Sequence, residues 1–318
     1  EEGLPVRGSE PAGSAAVGNS EIFTGSFTVN TQGENLTGLT IGGQVYNLVN
    51  GGSQTLVDNA QGTLVVTGVT GPSGGPFSVN YTYTLKDNVL THSVQGDDDT
   101  VNGPLFVVSA TDATGDVGTG NLQVVISDDA PTANNDADSA VEGVFTPVTG
   151  NVITGLGTTG GAGGAGADVK GADDAAVSQV VGFNGSTDSN PSGGFTVTGQ
   201  YGNLTMGPDG EYSYTLTAAS VPVGATDVFT YTLKDGDNDT DPATLTINIG
   251  QDTRTPVLTI GNATVDEEGL PVRGSEPAGS AAAGDSEIFT GSFTVNTQGE
   301  NLTGLTIGDR KSTRLNSS

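Results

Sequence analysis

The chain has 318 residues, a formal net charge of −28 and no cysteine. Its acidic surface repels nucleic acid and anionic lipid, and the lack of thiols excludes disulfides and thiolate metal sites. No apolar run approaches the roughly 18 to 20 residues that span a bilayer, so we expect no direct membrane insertion of this segment. Because so acidic a chain repels itself, its composition favours a divalent cation bound among the carboxylates.

A long tandem repeat organises the sequence. Residues 1–42 return at 267–308 with a period of 266 residues, and only Val17 against Ala283 and Asn19 against Asp285 differ. Near-identical copies benefit a chain whose role is reach, stiffness or multivalent display, and they benefit an enzyme little. The repetition therefore predicts a structural spacer. Since the first residue falls within a repeat, we expect the natural chain to begin earlier.

The last ten residues break this repeat. After Gly308 the sequence reads DRKSTRLNSS, which is similar to the translation of a sequencing-library adapter. We therefore interpret residues 309–318 as an artefact and base no functional argument on them.

Short alternating strands run through the chain. The clearest is PFSVNYTYTL, in which Phe77, Val79, Tyr81, Tyr83 and Leu85 alternate with small polar residues. A period of two predicts a strand with one face in the core and the other in solvent. Many such strands between Gly, Asp and Asn turns predict an all-β chain of antiparallel β-sandwiches.

Two module types share the repeat period. Pro131 interrupts the ladder after one strand, and Pro256 marks a matching boundary before another. We expect the first module by itself to be poorly stable or to exchange strands, because one sheet edge lacks its partner. The predicted modules are residues 1–128, which lack their opening strand; residues 129–250, which are complete; and residues 253–308, which begin the next copy.

The chain carries four phrases that resemble one protein family: VDEEGLP, ISDDAPTANND, YGNLTMGPDGEYSYTL and DVFTYTLKDGDNDTDPATLTINI. They are similar to repeats of very long bacterial surface adhesins exported by type I secretion, related to biofilm-associated and RTX adhesins. The second module resembles the VCBS or cadherin-like repeat, and the first resembles the repeat domain typical of type I secretion substrates. The resemblance implies Ig-like and cadherin-like sandwiches in a linear, extracellular array that binds Ca²⁺ between modules and holds a distal binding domain away from the cell.

The sharpest chemical feature is the phrase DGDNDTD. It places Asp235, Asp237, Asp239 and Asp241 at every second position, which can bring several carboxylate oxygens around one hard cation. It is not an EF-hand loop, because the required glycine and bidentate glutamate are absent. A solvated acidic turn is the alternative, but four carboxylates this close repel one another unless a cation neutralises them.

Looser acidic clusters flank other strands and the module boundaries. Charge alone also favours carboxylates in exposed linkers, and this alternative stays open. In the resemblance, acidic clusters at boundaries ligate calcium and fix the angle between neighbouring modules. The further candidate ligands are Asp97, Asp99, Asp112 and Asp116 in the first module; Asp128, Asp129, Asp136, Asp138 and Glu142 at the junction; and Asp266 and Glu267 at the next junction.

Catalytic patterns find little support. His92 is the single histidine, no activated serine is recognisable, and we interpret His92 as an ordinary loop or strand-end residue. The leading hypothesis is a calcium-rigidified extender of a secreted bacterial cell-surface adhesin, supporting cell adhesion and biofilm formation. Its partners would be calcium ions and neighbouring repeats of the same chain. The alternative is a calcium-dependent glycan-binding module, which would need an exposed aromatic side chain beside an acidic loop; the sequence offers no convincing example of one.

Overall fold

The structure is a computed structural model that describes residues 1–96, 99–159, 166–284, 288–298 and 302–308. Strands and short 3₁₀ turns form the regular structure in these ranges. The predicted all-β fold class is confirmed, since no α-helix occurs in these ranges. It follows that none of these ranges contains a helix long and apolar enough to cross a membrane.

The first sandwich consists of two four-stranded antiparallel sheets. One sheet has the strand order β1-β6-β5-β4 and the other β3-β2-β7-β8. The strands are β1 (Ile22–Val29), β2 (Leu36–Ile41), β3 (Gln44–Val45), β4 (Gln54–Asp58), β5 (Gly62–Thr70), β6 (Phe77–Leu85), β7 (Thr100–Asp112) and β8 (Val117–Ser127).

Alternation along the strands produces the first core. In β6, Val79, Tyr81, Tyr83 and Leu85 are buried while their neighbours are half-buried, which confirms the period of two predicted for this strand. These side chains meet residues of the opposite sheet such as Phe106, so the core lies between the two sheets. Burying one large apolar side chain contributes roughly 1.5–3 kcal/mol, and the core holds many of them.

The second sandwich has its own core between a four-stranded and a five-stranded sheet. Their strand orders are β10-β15-β14-β13 and β12-β11-β16-β17-β9. The strands are β9 (Asp136–Val141), β10 (Val148–Asn151), β11 (Ala176–Val181), β12 (Thr187–Asp188), β13 (Phe195–Thr198), β14 (Gly202–Met206), β15 (Glu211–Leu216), β16 (Thr226–Lys234) and β17 (Thr240–Gly250).

One strand pair departs from the expected antiparallel arrangement. Strand β9 pairs in parallel with β17, in a register that matches Asp136 with Leu245 and Asp138 with Ile247. Parallel neighbours need a long connection, and these are the first and last strands of the sandwich. The pairing therefore places the start of the sandwich beside its end.

A short ladder follows in the next copy of the repeat. Strand β18 (Val257–Thr259) pairs with β19 (Thr294–Asn296), whose repeat counterparts lie at the end of β1. In the first sandwich, β1 is the last strand of its sheet. A strand equivalent to β18 would therefore pair with β1, which is why the missing opening strand of residues 1–128 stays a prediction. The module boundaries also stay predictions.

Candidate metal centre at the junction

Loops from the two sandwiches meet beside the linker that joins the end of β8 at Ser127 to the start of β9 at Asp136. The first sandwich contributes its N-terminal residue, the loop between β6 and β7, and the residue after β8; the second contributes the segment before β11 and the loop between β16 and β17. We call the ionisable residues gathered here the junction cluster: Glu1, His92, Asp128, Asp173, Asp235, Asp237 and Asp239.

Hydrogen bonds between the two sandwiches fix the position of these loops. The Gly96 amide donates to Asp239 Oδ2 at 2.6 Å, and Gln95 Nε2 donates to the Asn238 carbonyl at 2.9 Å. The Thr240 amide donates back to Gln95 Oε1 at 3.0 Å. The loop between β6 and β7 is thereby held against the loop between β16 and β17.

The DGDNDTD loop is closed by its own first and fifth residues. The Asp235 amide donates to the Asp239 carbonyl at 3.1 Å, and the Asp239 amide donates to Asp235 Oδ1 at 2.7 Å. Asn238 has a φ of 89°, a left-handed conformation that asparagine tolerates. A Cβ on Gly236 would lie 2.9 Å from Leu90 Cδ2, so glycine permits the close approach of the two sandwiches.

Asp129, beside the cluster, links the N-terminal segment to the segment before β11. Its Oδ2 accepts hydrogen bonds from the amides of Ser14 and Ala172, each at 2.9 Å. Arg7 adds a bond from Nη2 to the Ala172 carbonyl at 2.9 Å. Asp129 therefore already serves as a structural acceptor that ties the N-terminal segment to the second sandwich.

Three carboxylates of the cluster form an all-oxygen group. The group consists of Glu1, Asp128 and Asp173, whose ligand atoms lie within 4.8 Å of one another. Val89 donates its amide to Glu1 Oε1 at 2.7 Å, and Asn88 donates Nδ2 to Asp173 Oδ1. Among the described residues, Glu1 Oε2, Asp173 Oδ2 and both oxygens of Asp128 have no hydrogen-bond partner.

Burial makes the ionised form of these carboxylates costly. It raises the pKa of Glu1 to about 8, with a further contribution from Asp173. It also raises the pKa of Asp128 to about 7, helped by the nearby Asp237 carboxylate, and the pKa of Asp235 to about 7. The pKa of Asp173 is raised for the same reason. A bound divalent cation would reverse this cost, because it favours the charged form.

A second set of ligand atoms adjoins the first and shares Asp128 with it. This histidine group consists of His92, Asp128 and Asp237. His92 Nδ1 lies 3.4 Å from Asp128 Oδ1 and 3.3 Å from Asp237 Oδ2, and Nε2 faces the Ile126 carbonyl at 3.5 Å. His92 does lie in a loop, as its interpretation from the sequence had it, but its side chain is fully buried among carboxylates.

The all-oxygen group has the chemistry that Ca²⁺ requires. Calcium is bound through about six to eight oxygen atoms, mainly from carboxylates, carbonyls and water. The buried, unpartnered oxygens of Glu1, Asp128 and Asp173 supply the charged part of such a set within the described ranges. Buried carboxylates in native proteins are normally paired or bound to a metal, so the residues present fit the ion.

The structure brings together only some of the ligands predicted from the sequence. Asp128, Asp235, Asp237 and Asp239 meet in the junction cluster. Asp99 lies nearby and accepts hydrogen bonds from the amides of Ser93 and Val94, which hold the loop that carries His92. These amides lower the pKa of the half-buried Asp99. Asp97 lies outside the described residues.

Two candidates lie at the opposite end of the first sandwich. Asp112 and Asp116 flank the turn between β7 and β8, where Asp112 Oδ1 accepts hydrogen bonds from the amides of Thr114 and Asp116. Both are remote from the junction along their strands. Their arrangement is that of an acidic turn stabilised by its own backbone.

Other candidates lie inside or beyond the second sandwich. Asp136 and Asp138 are buried on β9, where Tyr212 donates to Asp138 Oδ2 at 2.7 Å and Tyr231 to Asp136 Oδ2 at 3.4 Å. Burial raises the pKa of Asp136 to about 6. The remaining candidates accept hydrogen bonds from backbone amides: Asp241 from Ala133, Glu142 from Val221, and Asp266, which precedes Glu267, from Glu268.

Three members of the cluster were missed by sequence reasoning. Glu1 occupies the repeat position of Glu267, which was a candidate, so the repeat itself held this signal. Asp173 lies in a segment without a recognisable motif. His92 had no neighbouring pattern, because its partners Asp128 and Asp237 are distant in sequence.

No family model and no curated protein sequence matches the chain. Among solved structures, PcdhgB3 EC1-4 is 13% identical with a TM-score of 0.26, covering 68% of this chain and 45% of that chain. The N-terminal eight Ig domains of DSCAM are 12% identical with a TM-score of 0.23, covering 78% and 28%. A Bacteroides ovatus glucan-utilisation protein, SGBP-B, crystallised with a mixed-linkage heptasaccharide, is 11% identical with a TM-score of 0.16, covering 78% and 45%.

These neighbours include cadherin and Ig extracellular domains, and this chain spans less than half the length of the first two. At such identities and scores they carry no argument about function. The sandwich architecture rests on the sheets and cores described above.

Proposed function

We propose that the chain is an extender segment of a secreted adhesin, in which calcium bound at the module junctions makes neighbouring sandwiches rigid. The observation that carries this proposal is the junction cluster: buried carboxylates from both sandwiches converge there, and several of their oxygens lack a partner among the residues described. A buried carboxylate that is ionised and has no cationic partner is strongly destabilising. A divalent ion supplies the missing positive charge.

The proposed ligands tie together segments that the backbone leaves separate. Glu1 and Asp128 belong to the first sandwich and Asp173 to the segment entering the second. An ion held by all three restrains the two sandwiches relative to each other. Repeated along a tandem array, such restraints would convert a string of domains into a stiff rod that holds a distal binding domain away from the cell.

The resemblance to RTX, VCBS and biofilm-associated adhesins extends this proposal to a bacterial cell surface and type I secretion. Extracellular modules bind calcium with dissociation constants of about 10⁻⁴ to 10⁻³ M. The array would then be soft in the cytosol, where calcium is scarce, and would stiffen after export. This order suits passage through a narrow channel, and the neighbouring repeats are the partners that calcium would join.

Small-angle X-ray scattering tests the proposal. The full chain is measured in millimolar Ca²⁺ and in chelator, beside the Asp128→Asn variant and the matched Asp116→Asn variant at the exposed turn. We expect Ca²⁺ to increase the maximum dimension and narrow the distance distribution for the parent chain and Asp116→Asn, but not for Asp128→Asn. An unchanged distribution for the parent chain would contradict the proposal.

A second candidate is calcium-dependent glycan binding, favoured by one cleft beside the cluster. This cleft of about 580 Å³ is lined by Phe23, Tyr83, Glu1 and Asp128, and Phe23 is 59% exposed. It thus has the exposed aromatic side chain beside acidic groups that sugar recognition would use. Glycan-array binding that requires Ca²⁺ and is lost in Phe23→Ala would support this function; no binding by the parent chain would contradict it.

A further inference from the structure

The histidine group is the feature of the junction that calcium chemistry does not explain. It uses the only histidine among the 318 residues. The side chains of His92, Asp128 and Asp237 are 0%, 1% and 2% exposed, so all three are removed from water. Calcium prefers oxygen ligands, whereas an imidazole nitrogen suits zinc, copper, iron and nickel.

A hydrogen-bonded ion pair does not account for this arrangement. The distances of 3.4 Å and 3.3 Å from His92 Nδ1 to the two carboxylates exceed the roughly 2.7–2.9 Å of a charge-assisted N–H···O bond. A ring nitrogen carries one proton, which can serve only one of the two carboxylates. In the ranges that the structure covers, neither Nδ1 nor any oxygen of Asp128 and Asp237 has a hydrogen-bond partner.

The same distances match the ligand shell of a small metal ion. Ligands at about 2.0–2.1 Å from a tetrahedral Zn²⁺ ion lie about 3.3–3.4 Å from one another. A metal-bound histidine commonly directs its other ring nitrogen at a backbone carbonyl, which fixes the tautomer. His92 Nε2 faces the Ile126 carbonyl at 3.5 Å, and in the tautomer that carries its proton on Nε2 the Nδ1 lone pair faces the two carboxylates.

We infer that His92, Asp128 and Asp237 form a binding site for a divalent transition-metal ion of the zinc class, next to the calcium position at Glu1, Asp128 and Asp173. Asp128 belongs to both groups and has two oxygens to share. His92 and Asp128 come from the first sandwich and Asp237 from the second, so this ion also links the two. The inference rests on the proposed function only in placing both ions at one junction, because the histidine group is complete without calcium.

Nuclear magnetic resonance of the single imidazole reads this site directly. The full chain, labelled with ¹⁵N-histidine and free of a histidine tag, is titrated with Zn²⁺ in saturating Ca²⁺ and again in Ca²⁺-free buffer. We expect one equivalent of Zn²⁺ to move the Nδ1 resonance to its metal-bound position while Nε2 stays protonated. Imidazole ¹⁵N chemical shifts that do not change in excess Zn²⁺ in either buffer would overturn the inference.

Two variants separate the two positions. Calorimetric titration of His92→Asn should show Zn²⁺ binding weakened about 10-fold or more, with Ca²⁺ binding unchanged. Glu1→Gln should show the reverse, weaker Ca²⁺ binding with the Zn²⁺-induced shift of the imidazole retained. Equal Zn²⁺ affinity in the parent chain and His92→Asn would show that zinc binds elsewhere and would overturn the inference.

The two proposals fail in different ways. Zinc binding at the imidazole together with a calcium-insensitive scattering profile would leave the transition-metal site standing and remove the calcium extender. Calcium-dependent stiffening with an imidazole that does not respond to zinc would do the opposite.

Discussion

Asp227 inside the second sandwich and Asp128 at the junction are equally buried but differently satisfied. Asp227 is 2% exposed and accepts hydrogen bonds from the amides of Gln200, Tyr201 and Gly202 and from the Tyr214 hydroxyl. Asp128 is 1% exposed, and among the described residues neither of its oxygens has a partner at good hydrogen-bond geometry, although the Asp129 amide lies close enough to lower its pKa slightly. The interior carboxylate is stabilised by its own fold, whereas we propose that the junction carboxylate is stabilised by a cation from solution.

The comparison first predicts a large, calcium-independent loss at Asp227. Replacing it in Asp227→Ala leaves three amides and the Tyr214 hydroxyl without their acceptor, which should cost about 4 kcal/mol of unfolding free energy. Urea unfolding of the second sandwich, followed in Ca²⁺ and in chelator, measures this loss. A loss that differed between the two conditions would mean that Asp227 also depends on metal.

At Asp128 the sign of the effect should depend on calcium. In Ca²⁺ at about 100 times the dissociation constant, Asp128→Asn should lower the free energy of unfolding by about 2–3 kcal/mol, because the bound ion is lost. In chelator the same substitution removes an uncompensated buried charge, so stability should stay equal or rise. Urea unfolding of the parent chain and the variant in both buffers measures this, and an equal loss in both would show that Asp128 does not bind calcium.

The pH dependence gives a smaller and separate test. In chelator, burial holds the pKa values of Glu1, Asp128 and Asp235 at about 8, 7 and 7, above their unfolded values near 4. At these three groups the folded chain keeps protons that the unfolded chain releases, so their contribution to stability is greatest below about pH 4 and is lost as pH rises to about 8.

Calcium needs the ionised carboxylates, so its stabilising effect should grow across the same window. Melting temperatures at pH 5, 6, 7 and 8, each in Ca²⁺ and in chelator, give this difference. Asp128→Asn should flatten it. A calcium effect that is constant or shrinks with rising pH would contradict the assignment of these carboxylates.

The smallest expected effect is at the exposed turn of the first sandwich. Asp116→Asn removes the same formal charge as Asp128→Asn, but at a side chain in contact with solvent. Its free energy of unfolding should change by less than about 0.5 kcal/mol in either buffer. A calcium-dependent change there would indicate a second ion site at Asp112 and Asp116.

Local patterns in the sequence predicted the architecture well. Period-two alternation identified β6 over Phe77–Leu85, because each strand buries one face against the opposite sheet. The parallel pairing of β9 with β17 was not predicted, since no local pattern distinguishes a parallel edge pair from an antiparallel one. Pairing direction is decided by the path of the chain between the strands, which covers nearly the whole second sandwich.

The candidate site was only half visible in the sequence. Regular spacing singled out Asp235, Asp237 and Asp239, and the boundary after β8 singled out Asp128. His92 meets Asp237, and Asp173 meets Asp128, only because the two sandwiches dock, and that contact depends on features such as Gly236 that carry no chemical signal. Asp112 and Asp116 share the acidic composition of the site but lie at a more exposed turn, so composition alone does not distinguish the two settings, and their role as ligands stays a prediction.

Thermal unfolding of the full chain in millimolar Ca²⁺ and in EDTA shows whether the junction between the sandwiches holds divalent ions. If the junction carboxylates are held by bound divalent ions, Ca²⁺ should raise the melting temperature of the first transition by about 5 °C or more. Coincident melting curves in the two buffers would contradict the claim, because buried carboxylates that need an ion cannot be indifferent to its removal.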